Sequence, residues 1–154
     1  MLMARELDWK EAADVLGIRV GYVKLHGLDR MLREQLESMT LYPDASEGIE
    51  LLQGRGIKIG LCSNLASGYG PAVRALLPGL DVYGFSYQVG VTKPNPVIYR
   101  SVCRDLGAQP GQQLGGYRVV MIGVSIRSDR DGARAAGLAG LHLSRGGAQA
   151  IFLI

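Results

Sequence analysis

The chain has 154 residues, of which 47% are hydrophobic and 20% are charged, a balance typical of one folded domain rather than a disordered chain. The formal net charge is only +3, and no block of like charges suggests a segment that binds nucleic acid. No apolar run is long enough to span a membrane, and the first ten residues lack the apolar core of a signal peptide. Two cysteines cannot build a disulfide framework. We therefore expect a cytoplasmic domain that binds neither nucleic acid nor membranes.

Two amphipathic helices are predicted in the first part of the chain. Apolar residues recur at helical spacing over 9–16 and stop at Gly17. A second apolar stripe covers 25–39, with charged residues on the opposite face of the predicted helix. Residues 5–40 are therefore predicted to be helical, and the pattern breaks at Tyr42-Pro43.

After residue 43, short strands alternate with helices. The predicted strands are 57–62, 82–85, 119–122 and 139–143, and the predicted helices are 46–52, 71–77, 96–106 and 129–136. This alternation indicates βα units and a parallel sheet with helices on both faces. The predicted fold class is therefore α/β, a Rossmann-like three-layer α/β/α sandwich.

Polar residues follow the predicted strands, where ligands of open parallel sheets bind. Ser63 and Asn64 come directly after the first strand, Lys93 lies in a loop after the second, and Asp129 follows the third. A hydroxyl, an amide and an ammonium can bind and neutralise a phosphate group, and a carboxylate can hold Mg²⁺. The sequence therefore predicts a site for a small anion at this edge of the sheet.

Each of these residues also has a purely structural interpretation. Ser63 and Asn64 are residue types that commonly end a strand and form a turn. Lys93 can be a solvated loop lysine, and Asp129 can be the N-terminal acid that stabilises a helix dipole. Their occurrence together at one edge of the sheet favours the site.

The order and spacing of these residues resemble the haloacid dehalogenase superfamily, in its phosphatase- and dehalogenase-like branch with a helical cap. Residues 57–64, a strand that ends in Ser-Asn, are similar to the family's second motif. Residues 90–99, in which Lys93 precedes Pro-x-Pro, resemble the third motif, and residues 121–137 resemble the fourth. The resemblance extends over most of the chain.

This resemblance implies hydrolysis of a small anionic substrate, either a phosphate ester or a carbon–halogen compound, through an aspartyl intermediate. Ser63 and Asn64 would then orient the transferred or leaving group, and Lys93 would neutralise its charge. Asp129 would support a Mg²⁺ ion. The cofactor, the substrate class and these residue roles follow from the resemblance alone.

Two features of the family have no counterpart in the sequence. The first motif is an Asp-x-Asp pair after an opening strand, whose first Asp is the nucleophile, whereas Asp8 and Asp14 lie in a predicted helix. The fourth motif usually reads Gly-Asp where this chain has Gly123 and Val124, and valine offers no oxygen to a metal. We therefore expect weakened Mg²⁺ binding.

The missing first motif also affects the domain organisation that the resemblance implies. We expect residues 1–42 to be part of the helical cap and residues 43–154 to be a core that lacks its nucleophile strand. The chain would then be a truncated or catalytically impaired hydrolase. The alternative is a non-catalytic binding or interaction protein with the same fold.

The resemblance implies that the family's nucleophile strand would lie in the middle of the sheet, between a pair formed by strands 57–62 and 82–85 and a pair formed by strands 119–122 and 139–143. Without it, the inner edges of the predicted strands 57–62 and 119–122 would leave backbone groups unpaired. We expect one of three outcomes: low stability, a homodimer, or direct pairing of these two strands across the gap.

Overall fold

The computed structural model describes residues 2–110 and 119–144. Its helices are α1 (Trp9–Val15), α2 (Tyr22–Glu37), α3 (Pro43–Gly54), α4 (Gly70–Leu76), α5 (Ser86–Val89), α6 (Pro96–Asp105) and α7 (Gly132–Ala135). Its strands are β1 (Gly60–Ser63), β2 (Val82–Phe85), β3 (Val120–Gly123) and β4 (Ala139–His142). Short 3₁₀ turns cover Leu2–Ala4 and Ser67–Tyr69, and a π-helical turn covers Ile126–Asp131.

Side-chain caps fix the starts of two helices. Asp8 accepts a hydrogen bond from the backbone N–H of Glu11, and the Glu11 carboxylate accepts one from the N–H of Asp8, which makes a reciprocal capping box before α1. Asn95 caps α6 by accepting from the N–H of Val97, and Pro96 takes the first helical position, where no N–H is needed. The predicted helices at 9–16 and 96–106 are confirmed within one residue at their ends.

The strands form two separate parallel pairs within the described residues. β1 pairs with β2 in the register Gly60 to Val82, and β3 pairs with β4 in the register Val120 to Ala139. The predicted pairings are confirmed. Of the three outcomes expected for the gap between the pairs, direct pairing of strand 57–62 with strand 119–122 is not realised within the described residues, because no ladder joins β1 to β3.

Helices cover both faces of the β1–β2 pair. On one face, Leu61 and Phe85 pack in a buried apolar cluster with residues of α3 and α4. On the other face, Cys62 packs with residues of α6 and with Met121 of β3, so that α6 lies against both strand pairs. This arrangement of a parallel sheet between two helical layers confirms the predicted α/β sandwich.

The first residues of the chain contact the core rather than α2. The Ser67 hydroxyl donates to the carbonyl oxygen of Leu7 at 2.8 Å, and the Ser86 hydroxyl donates to that of Met3 at 2.5 Å. α2 contributes no buried residue, although its Gln35 accepts a hydrogen bond from the Tyr69 hydroxyl. The division into a cap at 1–42 and a core at 43–154 stays a prediction.

None of the described helices combines the length and the apolar character needed to cross a membrane.

Candidate functional site

Three of the four predicted site residues meet at the carboxyl ends of β1 and β3. Asn64 follows β1, Lys93 lies in the loop between α5 and α6, and Asp129 lies in the π-helical turn after β3. Lys93 contacts both of the others, the first through its backbone and the second through its ammonium group. Ser63 lies next to Asn64, at the last position of β1.

Asn64 binds the main chain of Lys93 on both sides. The backbone N–H of Lys93 donates to Asn64 Oδ1 at 2.7 Å, and Asn64 Nδ2 donates to the Lys93 carbonyl oxygen at 3.1 Å. The loop therefore engages the oxygen and one of the two N–H donors of this amide. The sequence suggested that Asn64 orients a ligand group, whereas its contacts in the structure position Lys93.

Lys93 and Asp129 form a buried ion pair. The distance from Lys93 Nζ to Asp129 Oδ1 is 2.6 Å, and the two side chains are 6% and 1% exposed. Within the described residues, Asp129 is the one hydrogen-bond partner of the ammonium group, which has three N–H donors. Lys93 is therefore a buried cation with two further donors for a ligand, and the solvated-loop interpretation of this lysine is wrong.

The turn after β3 fixes Asp129. The backbone N–H of Ser125 donates to Asp129 Oδ2 at 2.9 Å, and the Ser125 hydroxyl caps the turn by accepting from the N–H of Ser128. The Tyr99 hydroxyl of α6 donates to the carbonyl oxygen of Ser128. Gly123 completes the arrangement, because a Cβ at this position would collide with the Asp129 side chain.

Within the described residues, the Ser63 hydroxyl group has no hydrogen-bond partner. Ser63 is partly buried, and it is the neighbour of Asn64 in the chain at the end of β1. A hydroxyl group with no protein partner can donate a hydrogen bond to an anion. Ser63 therefore fits the predicted role of a ligand donor better than Asn64 does.

Cys62 lies beneath the ion pair but has no nucleophilic character. Burial raises the pKa of its thiol to about 11, against a smaller opposing effect of the Lys93 ammonium group. The thiol is therefore protonated at neutral pH, and the thiolate is the reactive form. Cys62 is therefore a core residue.

The oxygen donors around Asp129 do not fit a magnesium ion. Both carboxylate oxygens are engaged, one by the Lys93 ammonium and one by the Ser125 N–H. Val124 supplies no side-chain oxygen, and the described residues contain no group of three or more His, Cys, Asp or Glu side chains that could hold a metal. Mg²⁺ prefers six oxygen ligands in near-ideal octahedral geometry. The magnesium role of Asp129 that the resemblance implies stays a prediction.

Three supporting residues were given no site role from the sequence. Tyr99 belongs to the inward face of an amphipathic helix, which alone indicates only a core residue. The glycine requirement at Gly123 and the N–H of Ser125 depend on backbone geometry. One signal was available for Ser125, because a serine three residues before another polar residue at a helix start is typical of an N-cap.

The fold and the site together define an α/β protein with a buried, partly unsatisfied lysine at the carboxyl ends of its parallel strands. A sequence model of the haloacid dehalogenase-like hydrolases matches residues 2–137. The match covers well over half of the chain. The chain belongs to the haloacid dehalogenase-like hydrolase family.

Two curated relatives are phosphatases. The chain is 34% identical over 120 residues to a phosphoglycolate phosphatase of Rhodospirillum rubrum. This alignment covers 73% of this chain and 45% of that protein. It is 31% identical over 106 residues to a ribulose-1,5-bisphosphate 5-phosphatase of Halopiger xanaduensis, which covers 67% of this chain and 42% of that protein. The chain thus spans less than half the length of these relatives.

Two solved structures share the fold. A HAD phosphatase from Thermococcus onnurineus has a TM-score of 0.67 and 24% identity, covering 94% of this chain and 62% of that one. A HAD family enzyme from Bacteroides thetaiotaomicron, in complex with magnesium and inorganic phosphate, has a TM-score of 0.60 and 16% identity, covering 91% and 69%. At these identities the similarity concerns the fold.

Proposed function

We propose that this chain binds a small phosphate ester at Lys93, as the charge-neutralising part of a haloacid dehalogenase-like phosphatase site. The observation that carries this proposal is the buried ammonium group of Lys93, which has one protein partner within the described residues. A cation in this environment interacts with an anion more strongly than one in water. Both curated relatives are named as phosphatases, which favours a phosphate ester over a carbon–halogen substrate.

Two of the described side chains bind the ligand in this proposal, and two others position the lysine that binds it. The Lys93 ammonium donates to a phosphate oxygen, and the Ser63 hydroxyl donates to a second one. Asn64 holds the loop that carries Lys93, and Asp129 orients the ammonium group through its ion pair. Phosphoryl transfer relies mainly on positioning and charge stabilisation, which these groups supply.

Hydrolysis through an aspartyl intermediate also needs a nucleophilic carboxylate in line with the phosphorus. Within the described residues, Asp129 is the one acid that contacts Lys93, and its oxygens are both engaged. Asp8 is occupied as the cap of α1. No other acid of the described residues contacts Lys93, and this observation favours a second candidate function, a phosphate-binding protein without turnover.

A calorimetric titration of the protein with inorganic phosphate tests phosphate binding, which both candidate functions require. We expect Lys93→Ala to weaken phosphate binding by more than about tenfold, because it removes the buried cation. Lys10→Ala, at an exposed lysine of α1, is the matched control and should leave the affinity unchanged. Equal losses for the two variants would indicate diffuse surface electrostatics and contradict the proposal.

Two further measurements complete this test. Ser63→Ala leaves no charge unpaired and should still weaken phosphate binding, so it remains informative if Lys93→Ala does not fold. Hydrolysis of an aryl phosphate then separates the two candidate functions. Turnover that Lys93→Ala abolishes supports the phosphatase, whereas saturable phosphate binding without turnover supports the binding protein.

A further inference from the structure

Each oxygen of the Asp129 carboxylate already accepts a hydrogen bond. Oδ1 accepts from Lys93 Nζ at 2.6 Å, and Oδ2 accepts from the backbone N–H of Ser125 at 2.9 Å. The Asp129 side chain is 1% exposed, so solvent water does not compete with these two hydrogen bonds. A cation that bound Asp129 directly would have to share an oxygen with one of these two donors or replace it.

The surroundings of Asp129 make this replacement unfavourable. A divalent cation at Oδ1 would displace the Lys93 ammonium and leave two like charges close together in a buried site. Val124, the first residue after β3, has no side-chain oxygen to add to the coordination shell, and its backbone carbonyl oxygen already lies 3.1 Å from His142 Nε2. Mg²⁺ gives up its water shell reluctantly and needs several well-placed oxygens in return.

Lys93 already supplies what a metal would supply to an anion. Its ammonium carries a full positive charge, it is held by Asp129 and by the Asn64 contacts to its backbone, and it has donors to spare. We propose that this site binds its phosphate ligand without a divalent cation, with the Lys93 ammonium as the cation that offsets the ligand's charge. This inference rests on the proposed function, since it concerns the ligand of the same site.

The test measures phosphate affinity by calorimetry in EDTA and again in magnesium chloride, with the ionic strength matched by sodium chloride. We expect the two dissociation constants to agree within about twofold. Phosphate binding that is about tenfold or more tighter with Mg²⁺, and that loses this gain in Asp129→Asn, would overturn the inference. Asp131→Asn, at an exposed acid of the same turn, is the matched control for a general effect of surface charge.

A second readout uses the metal alone and does not depend on phosphate binding. Mg²⁺ is titrated into the protein while the backbone amide signals of Ser125 and Asp129 are followed by NMR. We expect no saturable shift at either signal. A saturable shift that Asp129→Asn removes would overturn the inference, even if phosphate does not bind. Absence of phosphate binding with and without Mg²⁺ would instead contradict the proposed function alone.

Discussion

At the scale of single residues, the Lys93–Asp129 ion pair has the largest energetic consequences. Two buried charges stabilise a fold little as a pair, because the attraction between them is offset by the cost of removing both from water. Removing one of them is different, since the remaining charge stays buried without a partner. The pair therefore couples the stability of the turn after β3 to the lysine loop.

We expect Asp129→Asn to lower the free energy of unfolding by about 3–5 kcal/mol, because it leaves the Lys93 ammonium uncompensated. Urea unfolding followed by circular dichroism measures this loss. The double variant Lys93→Met with Asp129→Leu should lose less than the sum of the two single changes. Additive losses would mean that the pair is not energetically coupled.

The exposed Arg130–Asp131 pair is the natural control for this measurement. It lies in the same turn, and its hydrogen bond lowers the pKa of the Asp131 carboxyl. Because both side chains reach solvent, water replaces the lost interaction when Asp131 is changed to Asn. Asp131→Asn should therefore change the stability far less than Asp129→Asn.

At the scale of elements, the close approach of β3 to the following turn depends on one glycine. A Cβ at Gly123 would collide with Asp129, whose side chain cannot move away without losing its bonds to Lys93 and Ser125. We expect Gly123→Ala to cost about 1–3 kcal/mol of unfolding free energy and to weaken phosphate binding. Thermal unfolding and the phosphate titration measure the two effects.

Gly48 of α3 provides a control, because its substitution by alanine should raise the stability rather than lower it. A Cβ there meets no atom within 4 Å, and the position lies inside a helix. Gly48→Ala should stabilise the protein by about 0.5–1 kcal/mol, because alanine favours the helix. Destabilisation by both substitutions to a similar extent would contradict the specific role of Gly123.

The sequence predicts the elements well where the pattern within one element decides their limits. β2 is predicted at 82–85 and observed at these residues. The first strand is predicted at 57–62 but observed at Gly60–Ser63, because its ladder begins only where Val82 of β2 is available as a partner. A partner on another element is not visible in the pattern of a single strand.

The same reasoning explains what the sequence missed at the site. The residue types predicted an anion site, and Asn64, Lys93 and Asp129 do lie together. The structure assigns the amide of Asn64 to the main chain of Lys93, a contact between residues 29 positions apart.

The predicted helix 129–136 is a π-helical turn followed by a short α7, because the Ser125 side chain caps an earlier start.

At the scale of the whole molecule, neither strand pair has a third strand within residues 2–110 and 119–144, and the β3–β4 pair has an apolar face that is partly exposed. Val120 and Ile122 alternate with buried neighbours along β3, and the register places Leu141 of β4 on the same face. These three side chains are 48%, 40% and 50% exposed. An open edge beside an apolar face favours association with another chain.

We therefore expect the protein to associate with itself, as a dimer that forms with increasing concentration, since the alternative of closing the gap between β1 and β3 is not realised within the described residues. Sedimentation velocity over a wide concentration range measures this. Val120→Lys places a charge on the open strand and should shift the equilibrium towards the monomer. Val97→Lys, at a residue of α6 with the same 48% exposure, should leave the association unchanged. A monomer at every concentration, or equal effects of the two lysines, would show that the β3–β4 pair does not drive association.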